Sequence, residues 1–229
     1  MEIKEAYSGT ENLEVMKCAF NYNRHLVNLI TSFVTSKTKV MLDYGAGMGI
    51  FAEKIEHEGY RVVCLEPDLN LSKHLSKRFS VKTDLTDVDK EYWDYIYSLN
   101  VLEHIEDDSK ALEQIYASLK TQGRFAVYVP AFNLLYSSMD KKVGHFRRYR
   151  RTELLKKMKA VGFKPIKAEY VDSMGFFASL IYKYLDHGTG DINTRALIFF
   201  DKFIFPASLW FDKFFRYFLG KNLFIVAEK

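Results

Sequence analysis

Short apolar runs alternate with helical patterns along most of the chain, and this alternation limits the fold more than any other feature. Each apolar run has the length of a buried strand, and the segments between the runs carry apolar residues at three- and four-residue steps. Seven strands are predicted, at 40–42, 61–65, 81–83, 95–99, 124–129, 166–171 and 223–227. Helices are predicted at 12–35, 50–58, 69–79, 108–119 and 152–160. The pattern is typical of an α/β fold, a Rossmann-like, doubly wound and mostly parallel seven-stranded sheet whose last strand is antiparallel.

The last two predicted strands are unusually far apart. An antiparallel pair needs only a short turn, but residues 172–221 separate these two strands. This segment predicts a helical insertion or lid with an aromatic stripe, which consists of Phe199, Phe203, Trp210, Phe214 and Phe218. Three interpretations stay open for the stripe: burial in a core or homodimer, cover for an apolar acceptor, or contact with a membrane surface. We interpret 1–229 as a single domain, with 1–36 as an N-terminal helical cap.

Glycines and acids follow the first strands of the predicted sheet. In a doubly wound sheet the ligand crevice lies beyond the carboxyl ends of the strands. Asp43 and a loop with three alternate glycines, 45–49, follow the first strand, and such a loop lets the backbone approach a ligand closely. Glu66 follows the second strand, where an acid can accept both hydroxyls of a ribose. Asp84 and Leu85 follow the third strand and suit an adenine edge. The sequence therefore predicts a nucleoside site.

The residues around the glycine loop favour one kind of nucleoside. The third glycine of the dinucleotide fingerprint would fall at Ile50, and an acid at Asp43 would repel a pyrophosphate. Asp43 suits a cationic group instead, such as the amino group of a methionine moiety. No phosphate-binding Gly-Lys-Ser/Thr sequence is present, so the sequence does not indicate ATP chemistry. S-adenosylmethionine fits better than NAD.

Residues 40–49 resemble the first motif of class I S-adenosylmethionine-dependent methyltransferases, and the similarity extends over 21–171 and 223–229. Tyr44 and Met48 depart from the residues more usual in that motif. Two segments, 100–108 and 140–149, resemble a bacterial-type subgroup often found alongside glycosyltransferases. The resemblance implies a set of cofactor-binding residues, namely Asp43, Gly45, Ala46, Gly47, Gly49, Glu66, Asp84, Leu85 and Asn100.

Two histidines are candidates for the chemistry of methyl transfer. The donor supplies the electrophile, so the protein must align the acceptor and remove its proton. His104 follows the fourth strand and His145 lies in a glycine-flanked loop after the fifth, and either could deprotonate an acceptor hydroxyl. His104 could equally be a packed residue at the start of a helix. The residues near them, Glu103, Asp107 and Asp108, show no convincing ligand constellation, so no metal is predicted.

Basic residues are concentrated in 141–159, which holds nine Lys and Arg and one acid, although the whole chain carries only +4. Within this segment Arg147, Arg148 and Tyr149 are the predicted acceptor contacts. Three interpretations stay open: a solvated approach to a helix, a site for an anionic acceptor, or contact with anionic lipid headgroups. Nucleic acid is disfavoured, because the fourth strand ends without the Asn-Pro-Pro-Tyr loop that holds a flipped base.

The remaining features favour a cytoplasmic protein, with contact to the membrane at most peripheral. Cys18 and Cys64 cannot form a disulfide framework, residues 1–5 do not begin a secretory signal, and no apolar run is long enough to cross a bilayer. We therefore expect a methyltransferase that O-methylates a small anionic or amphiphilic acceptor, linked to a lipid or glycan. Two alternatives stay open: an enzyme for small soluble molecules whose lid dimerises it, and a non-catalytic partner subunit.

Overall fold

A seven-stranded sheet forms the centre of the computed structural model, which describes residues 14–84, 90–185, 188–191 and 193–229. The strands are β1 Val40–Tyr44, β2 Arg61–Leu65, β3 Ser80–Lys82, β4 Trp93–Leu99, β5 Leu119–Pro130, β6 Lys164–Val171 and β7 Asn222–Glu228. Their order is β3-β2-β1-β4-β5-β7-β6, and β7 is antiparallel to both of its neighbours while β1 to β5 pair in parallel. The predicted fold class is confirmed.

Helices cover both faces of the sheet. They are α1 Phe20–Thr31, α2 Ile50–His57, α3 Leu69–Leu75, α4 Asp108–Ser118, α5 Ser138–Val143 and α6 Arg151–Val161. One core cluster joins the sheet to α4 and α6 through Leu112, Ile115 and Leu154. The other joins it to α1 and α2 through Leu26 and Ile55. Because the central strands β1, β2, β4, β5 and β7 are largely buried between these layers, the carboxyl ends of the parallel strands are the edge left for ligands.

The long connection between β6 and β7 is helical, as predicted. It comprises α7 Ser173–Leu185, α8 Thr194–Phe199, a π-helical turn Phe200–Ile204 and α9 Phe205–Phe215. The connection closes at its base, where the Lys221 N–H donates to the Asp172 carbonyl at 2.9 Å. The insertion therefore leaves the sheet and returns to it at one point.

The aromatic stripe lies on the surface. Its side chains are 54% to 73% exposed, whereas the neighbouring Phe205 is fully buried and packs against α1 through Tyr22. Of the interpretations left open for the stripe, burial in this chain's own core is therefore wrong. The predicted helix at 12–35 is interrupted, because residues 14–16 are helical, 17–19 are not, and α1 runs from Phe20 to Thr31. The first 13 residues of the predicted cap lie outside the described part of the chain.

Candidate functional site: a cofactor crevice beside a histidine cluster

The glycine loop after β1 adopts a conformation that only glycine takes easily. Gly45, Gly47 and Gly49 have φ of 83°, 56° and 78°, all in the left-handed region. A Cβ on Gly45 would lie 2.5 Å from a methyl carbon of Val101, in the turn after β4. The loop is thus pressed against the neighbouring strand end. Its chain direction then changes sharply into α2, as the sequence predicts for a loop that approaches a ligand.

Two buried acids stand at the ends of β1 and β2. Glu66 is 7% exposed, and its carboxylate accepts hydrogen bonds from the Gly47 N–H at 2.7 Å and the Asp68 N–H at 3.0 Å. Burial raises the pKa of Glu66, although these two bonds oppose the rise. Asp43 is the penultimate residue of β1, and burial raises its pKa to about 7, with the charge of Glu66 adding to the effect and the Tyr97 hydroxyl opposing it. Both acids therefore border the glycine loop.

The other predicted cofactor residues line the same edge of the sheet. Ala46 belongs to the glycine loop, and Asp84 stands two residues beyond β3 and is half-buried. Asn100 directly follows β4 with a φ of 54° and is exposed, and its N–H donates to the Tyr128 carbonyl at 2.8 Å. Leu85 lies outside the described residues. The fold thus brings together the acids and the glycine loop, which the sequence separates by up to 40 residues.

His145 is held in one orientation by a buried acid. Its Nδ1 lies 2.7 Å from Oδ1 of Asp140, and its side chain is only 10% exposed. Asp140 also receives two hydrogen bonds from Arg148, each of 2.9 Å. Although burial alone would raise the pKa of Asp140, the bonds from His145 and Arg148 hold it well below its ordinary value. In the neutral form of His145, an ionised Asp140 accepts the Nδ1 proton, so Nε2 carries the lone pair.

The second histidine meets the first across the turn after β4. This turn, Leu102–His104, follows Asn100 and places the His104 ring 4.5 Å from the His145 ring, edge to face. Glu103, in the same turn, is fully buried, and one of its carboxylate oxygens lies 3.9 Å from His145 Nε2. Burial raises the pKa of Glu103 to about 8, with Arg148 opposing the rise and Asp140 adding to it. We call Glu103, His104 and His145 the histidine cluster.

Only one of the three predicted acceptor contacts has an accessible charged group. Arg147 is 23% exposed and pairs with Asp108 at 3.1 Å. Arg148 is 3% exposed and is committed to Asp140, and Tyr149 is fully buried with its hydroxyl 2.9 Å from an oxygen of Asp108. The burial of Arg148 and Tyr149 argues against contact of these two residues with an acceptor. Arg148 is better described as a positioning residue, which fixes the acid that orients His145.

Three residues that the sequence analysis left without a role belong to the site. Glu103 and Asp140 complete the surroundings of His145, and Tyr22 of α1 packs edge to face on Tyr128, beside Asn100. Glu103 carried one signal, a charged residue inside the apolar turn Leu102–Ile105. Asp140 gave no such signal, because its contact with Arg148 exists only after the loop following β5 folds back.

Comparison with known proteins supports this description. A family model for a methyltransferase domain matches residues 19–168. The chain belongs to the methyltransferase domain family. Its match covers the glycine loop, the acids at the strand ends and the histidine cluster. No curated protein matches the chain in sequence.

Solved methyltransferase structures share the fold over nearly the whole chain. A S-adenosylmethionine-dependent methyltransferase from Archaeoglobus fulgidus is similar with a TM-score of 0.65 and 17% identity, over 96% of this chain and 99% of that one. A Haloferax volcanii methyltransferase, in complex with the Trm112 methyltransferase activator, gives 0.66 and 14% over 98% of both chains. Phosphoethanolamine N-methyltransferase 2 of Haemonchus contortus, in complex with S-adenosyl-L-methionine, gives 0.61 and 16% over 92% of this chain and 52% of that one. The methyl donor predicted from the sequence is thus the one named for proteins of this fold.

The helices give one further result. None of those in the described part of the chain combines the length and the hydropathy that a membrane span requires.

Proposed function

We propose that this member of the methyltransferase domain family uses S-adenosylmethionine to methylate an oxygen of a small anionic or amphiphilic acceptor. One observation supports the proposal above the others. A left-handed glycine loop, buried acids at the ends of β1 and β2, and a histidine cluster after β4 all lie along one edge of the sheet. Doubly wound sheets bind their ligands at this edge.

The residues of the crevice fit the cofactor. Glu66 would accept hydrogen bonds from the ribose hydroxyls, and its two existing N–H partners leave oxygen lone pairs for them. Asp43 would pair with the amino group of the methionine moiety, and Asp84 would border the adenine. When bound, S-adenosylmethionine supplies a methyl group activated by a sulfonium. The protein's part is then to bind, to align the acceptor and to accept its proton.

The histidine cluster is where the acceptor hydroxyl would be activated. Asp140 accepts the Nδ1 proton of His145, so Nε2 faces the turn after β4 as a lone pair. Val101, three residues before His104, touches the glycine loop, so the cluster borders the cofactor crevice. Of the two predicted bases, His145 is the better placed, since an orienting carboxylate holds it as in other activated histidines.

The surface supports an acceptor with an apolar part. The aromatic stripe is exposed, and Phe177, Ile181, Tyr184 and Leu185 of α7 are 47% to 76% exposed as well. A surface of this kind typically binds a lipid interface or a partner. The insertion also contacts the loop after β5, because Lys183 of α7 donates to the Leu134 carbonyl at 2.7 Å. Arg147 at the crevice would attract the charged end of the acceptor.

Binding of the demethylated product tests the cofactor site. We expect S-adenosylhomocysteine to bind the full chain in calorimetry, and Glu66→Gln to weaken it at least about tenfold by removing a charged acceptor. Glu58→Gln, at an exposed position after α2, is the matched control and should bind like the wild type. Absence of heat with both S-adenosylmethionine and its product would contradict the proposal.

Transfer of labelled methyl groups into a cell extract tests the acceptor class. Extraction of the reaction with an organic solvent separates amphiphilic products from soluble ones. We expect label in the organic phase or in the glycan-linked fraction. Label only in small water-soluble molecules would support the alternative enzyme, in which the insertion joins two copies.

A further inference from the structure

The turn after β4 contains a carboxylate without hydrogen bonds. Glu103 is fully buried, and neither of its carboxylate oxygens has a hydrogen-bond partner within the described residues. Burial of a carboxylate is costly unless it is paired, protonated or bound to a metal. A group of opposite potential charge lies near it: Nε2 of His145 is 3.9 Å from Glu103 Oε1. That distance is too long for a hydrogen bond.

Two electron-pair donors therefore face each other across this gap. Asp140 lies 2.7 Å from Nδ1 and accepts a proton from it, so in the neutral form of His145 the Nε2 atom that faces Glu103 carries a lone pair. His104 brings a third ligand atom, and the nearest ligand atoms of the three residues all lie within 4.8 Å of one another. A neutral imidazole and a carboxylate around one point form a site for a positive ion.

The surroundings of His145 resemble a second coordination shell. Histidines that bind metals usually donate the other ring N–H to a carboxylate, which fixes the tautomer and the direction of the free nitrogen. Asp140 does this here, and Arg148 holds Asp140 through two hydrogen bonds of 2.9 Å. Ser137 adds a further N–H bond to Asp140 at 2.8 Å. The free nitrogen of His145 is thus already directed when a ligand arrives.

We propose that the histidine cluster binds a divalent first-row cation, in the range from Mn²⁺ to Zn²⁺, through Glu103, His104 and His145. Two imidazoles and one carboxylate suit these ions better than Mg²⁺ or Ca²⁺, which prefer oxygen ligands. Ligands about 2.1 Å from a cation stand roughly 3 to 3.5 Å apart. Glu103 and His145 would therefore have to approach by about half an ångström, and a pair 4.8 Å apart by roughly 1.3 to 1.8 Å, so binding would require the side-chain torsions of the cluster to change.

Three protein ligands leave coordination positions open, as in catalytic metal sites. The turn that carries Glu103 and His104 borders the cofactor crevice, because Val101 touches Gly45. An acceptor oxygen at an open position would have its pKa lowered by the cation. His145 would then act as a ligand instead of as the base, and the acceptor hydroxyl would release its proton to solvent. The role of the cation in turnover rests on the proposed function, whereas its binding does not.

Titration with Co²⁺ tests the site without any acceptor. The full chain is treated with EDTA, dialysed and titrated with CoCl₂, and binding is followed by calorimetry and by the visible d–d absorption of bound Co²⁺. We expect one saturable equivalent in the wild type. Glu103→Gln, His104→Ala and His145→Ala should each weaken binding at least tenfold, and Asp140→Asn about ten- to a hundredfold because it releases His145.

Exposed residues of the same types provide the controls. Glu106→Gln lies three positions after Glu103, and His74→Ala lies on α3. Both should retain the equivalent of bound Co²⁺. A cation that binds the native state also raises the melting temperature of the wild type, so the test does not depend on the variants alone.

Two results would overturn the proposal: no saturable Co²⁺ binding by the wild type, or equal binding by Glu103→Gln. Calorimetry with S-adenosylhomocysteine in the presence of EDTA separates this failure from failure of the proposed function. Product binding without Co²⁺ binding would remove the cation and leave the methyltransferase. Co²⁺ binding without product binding would support the cation site and contradict the proposed methyltransferase function.

Discussion

Asp43 is an acid whose burial costs stability. It is 3% exposed at the end of β1, and burial raises its pKa to about 7, with the charge of Glu66 adding to the effect. In the unfolded chain its pKa is about 4. Between these values the native state holds a proton that the unfolded state has lost, so stability falls as the pH rises toward 7. An amide in its place avoids this loss.

We therefore expect Asp43→Asn to stabilise the cofactor-free protein at pH 8, by an amount on the order of 2 to 4 kcal/mol. Urea unfolding at pH 5 and pH 8 measures the effect, and the difference between the two pH values should shrink in the variant. A wild type that is equally stable at both pH values would contradict the raised pKa.

The affinity for the cofactor should rise with pH, whereas the stability of the cofactor-free protein falls. Because an ionised Asp43 would pair with the amino group of the cofactor, affinity for S-adenosylhomocysteine should rise between pH 6 and pH 8 in the wild type and change little in Asp43→Asn.

At the scale of single residues, the sequence predicted features that depend on the residue itself, and it did not predict contacts that depend on the fold of a loop. The absence of a Cβ permits the left-handed φ of Gly45, Gly47 and Gly49, and from these glycines the sequence predicted a loop that lets the backbone approach a ligand closely. The partner of Arg148 could not be inferred. An arginine beside a crevice can equally face solvent, an acceptor or a buried acid, and only the fold of the loop after β5 brings Asp140 to it.

Two acids of the insertion cap the first turns of other helices, one outside the insertion and one within it. The Asp201 carboxylate accepts the N–H groups of Asn21 and Tyr22 at 3.0 and 2.8 Å, at the start of α1. The Asp212 carboxylate accepts those of Asp172 and Ser173, both at 2.8 Å, at the start of α7. In the sequence these charges indicate only that the segment does not span a membrane. The cap also explains why α1 begins at Phe20, since its first N–H groups are satisfied from outside the helix.

Loss of the Asp201 cap should loosen the contact between the insertion and α1. We expect Asp201→Ala to lower the free energy of unfolding by about 1 to 3 kcal/mol, because two N–H groups lose a charged acceptor. Denaturant unfolding measures the change. Glu14→Ala is the control, since its carboxylate is half-exposed and forms a surface ion pair with Lys17, and it should change stability by less than about 0.5 kcal/mol. Equal free energies of unfolding for Asp201→Ala and the wild type would show that the cap does not contribute to stability.

At the scale of the whole molecule, the topology was predictable and the surface was not. Strand and helix periods, with the glycines and acids at the strand ends, specify a doubly wound sheet, and all seven predicted strands are present. The direction of the aromatic stripe was left open, because a helix that is apolar on most of its circumference carries no signal for which side is buried. The structure places Phe205 inward and the stripe outward.

The exposed stripe predicts binding to a membrane surface. Lys202 and Lys213 are exposed on the same helical segment, so the apolar side chains would enter the interface while the lysines meet anionic headgroups. We expect the protein to co-sediment with vesicles that contain phosphatidylserine or phosphatidylglycerol, and less at high salt. Trp210→Ser with Phe214→Ser should reduce the bound fraction severalfold.

Leu69→Ser and Tyr92→Ser, exposed apolar side chains away from the insertion, form the matched pair that should bind like the wild type. Sedimentation velocity without vesicles tests the alternative that the stripe joins two copies of the chain. A dimer that the Trp210 and Phe214 changes dissociate, together with no vesicle binding at low salt, would assign the stripe to a contact between two copies. In that case the acceptor would reach the crevice from solution, and the insertion would serve to join two sites.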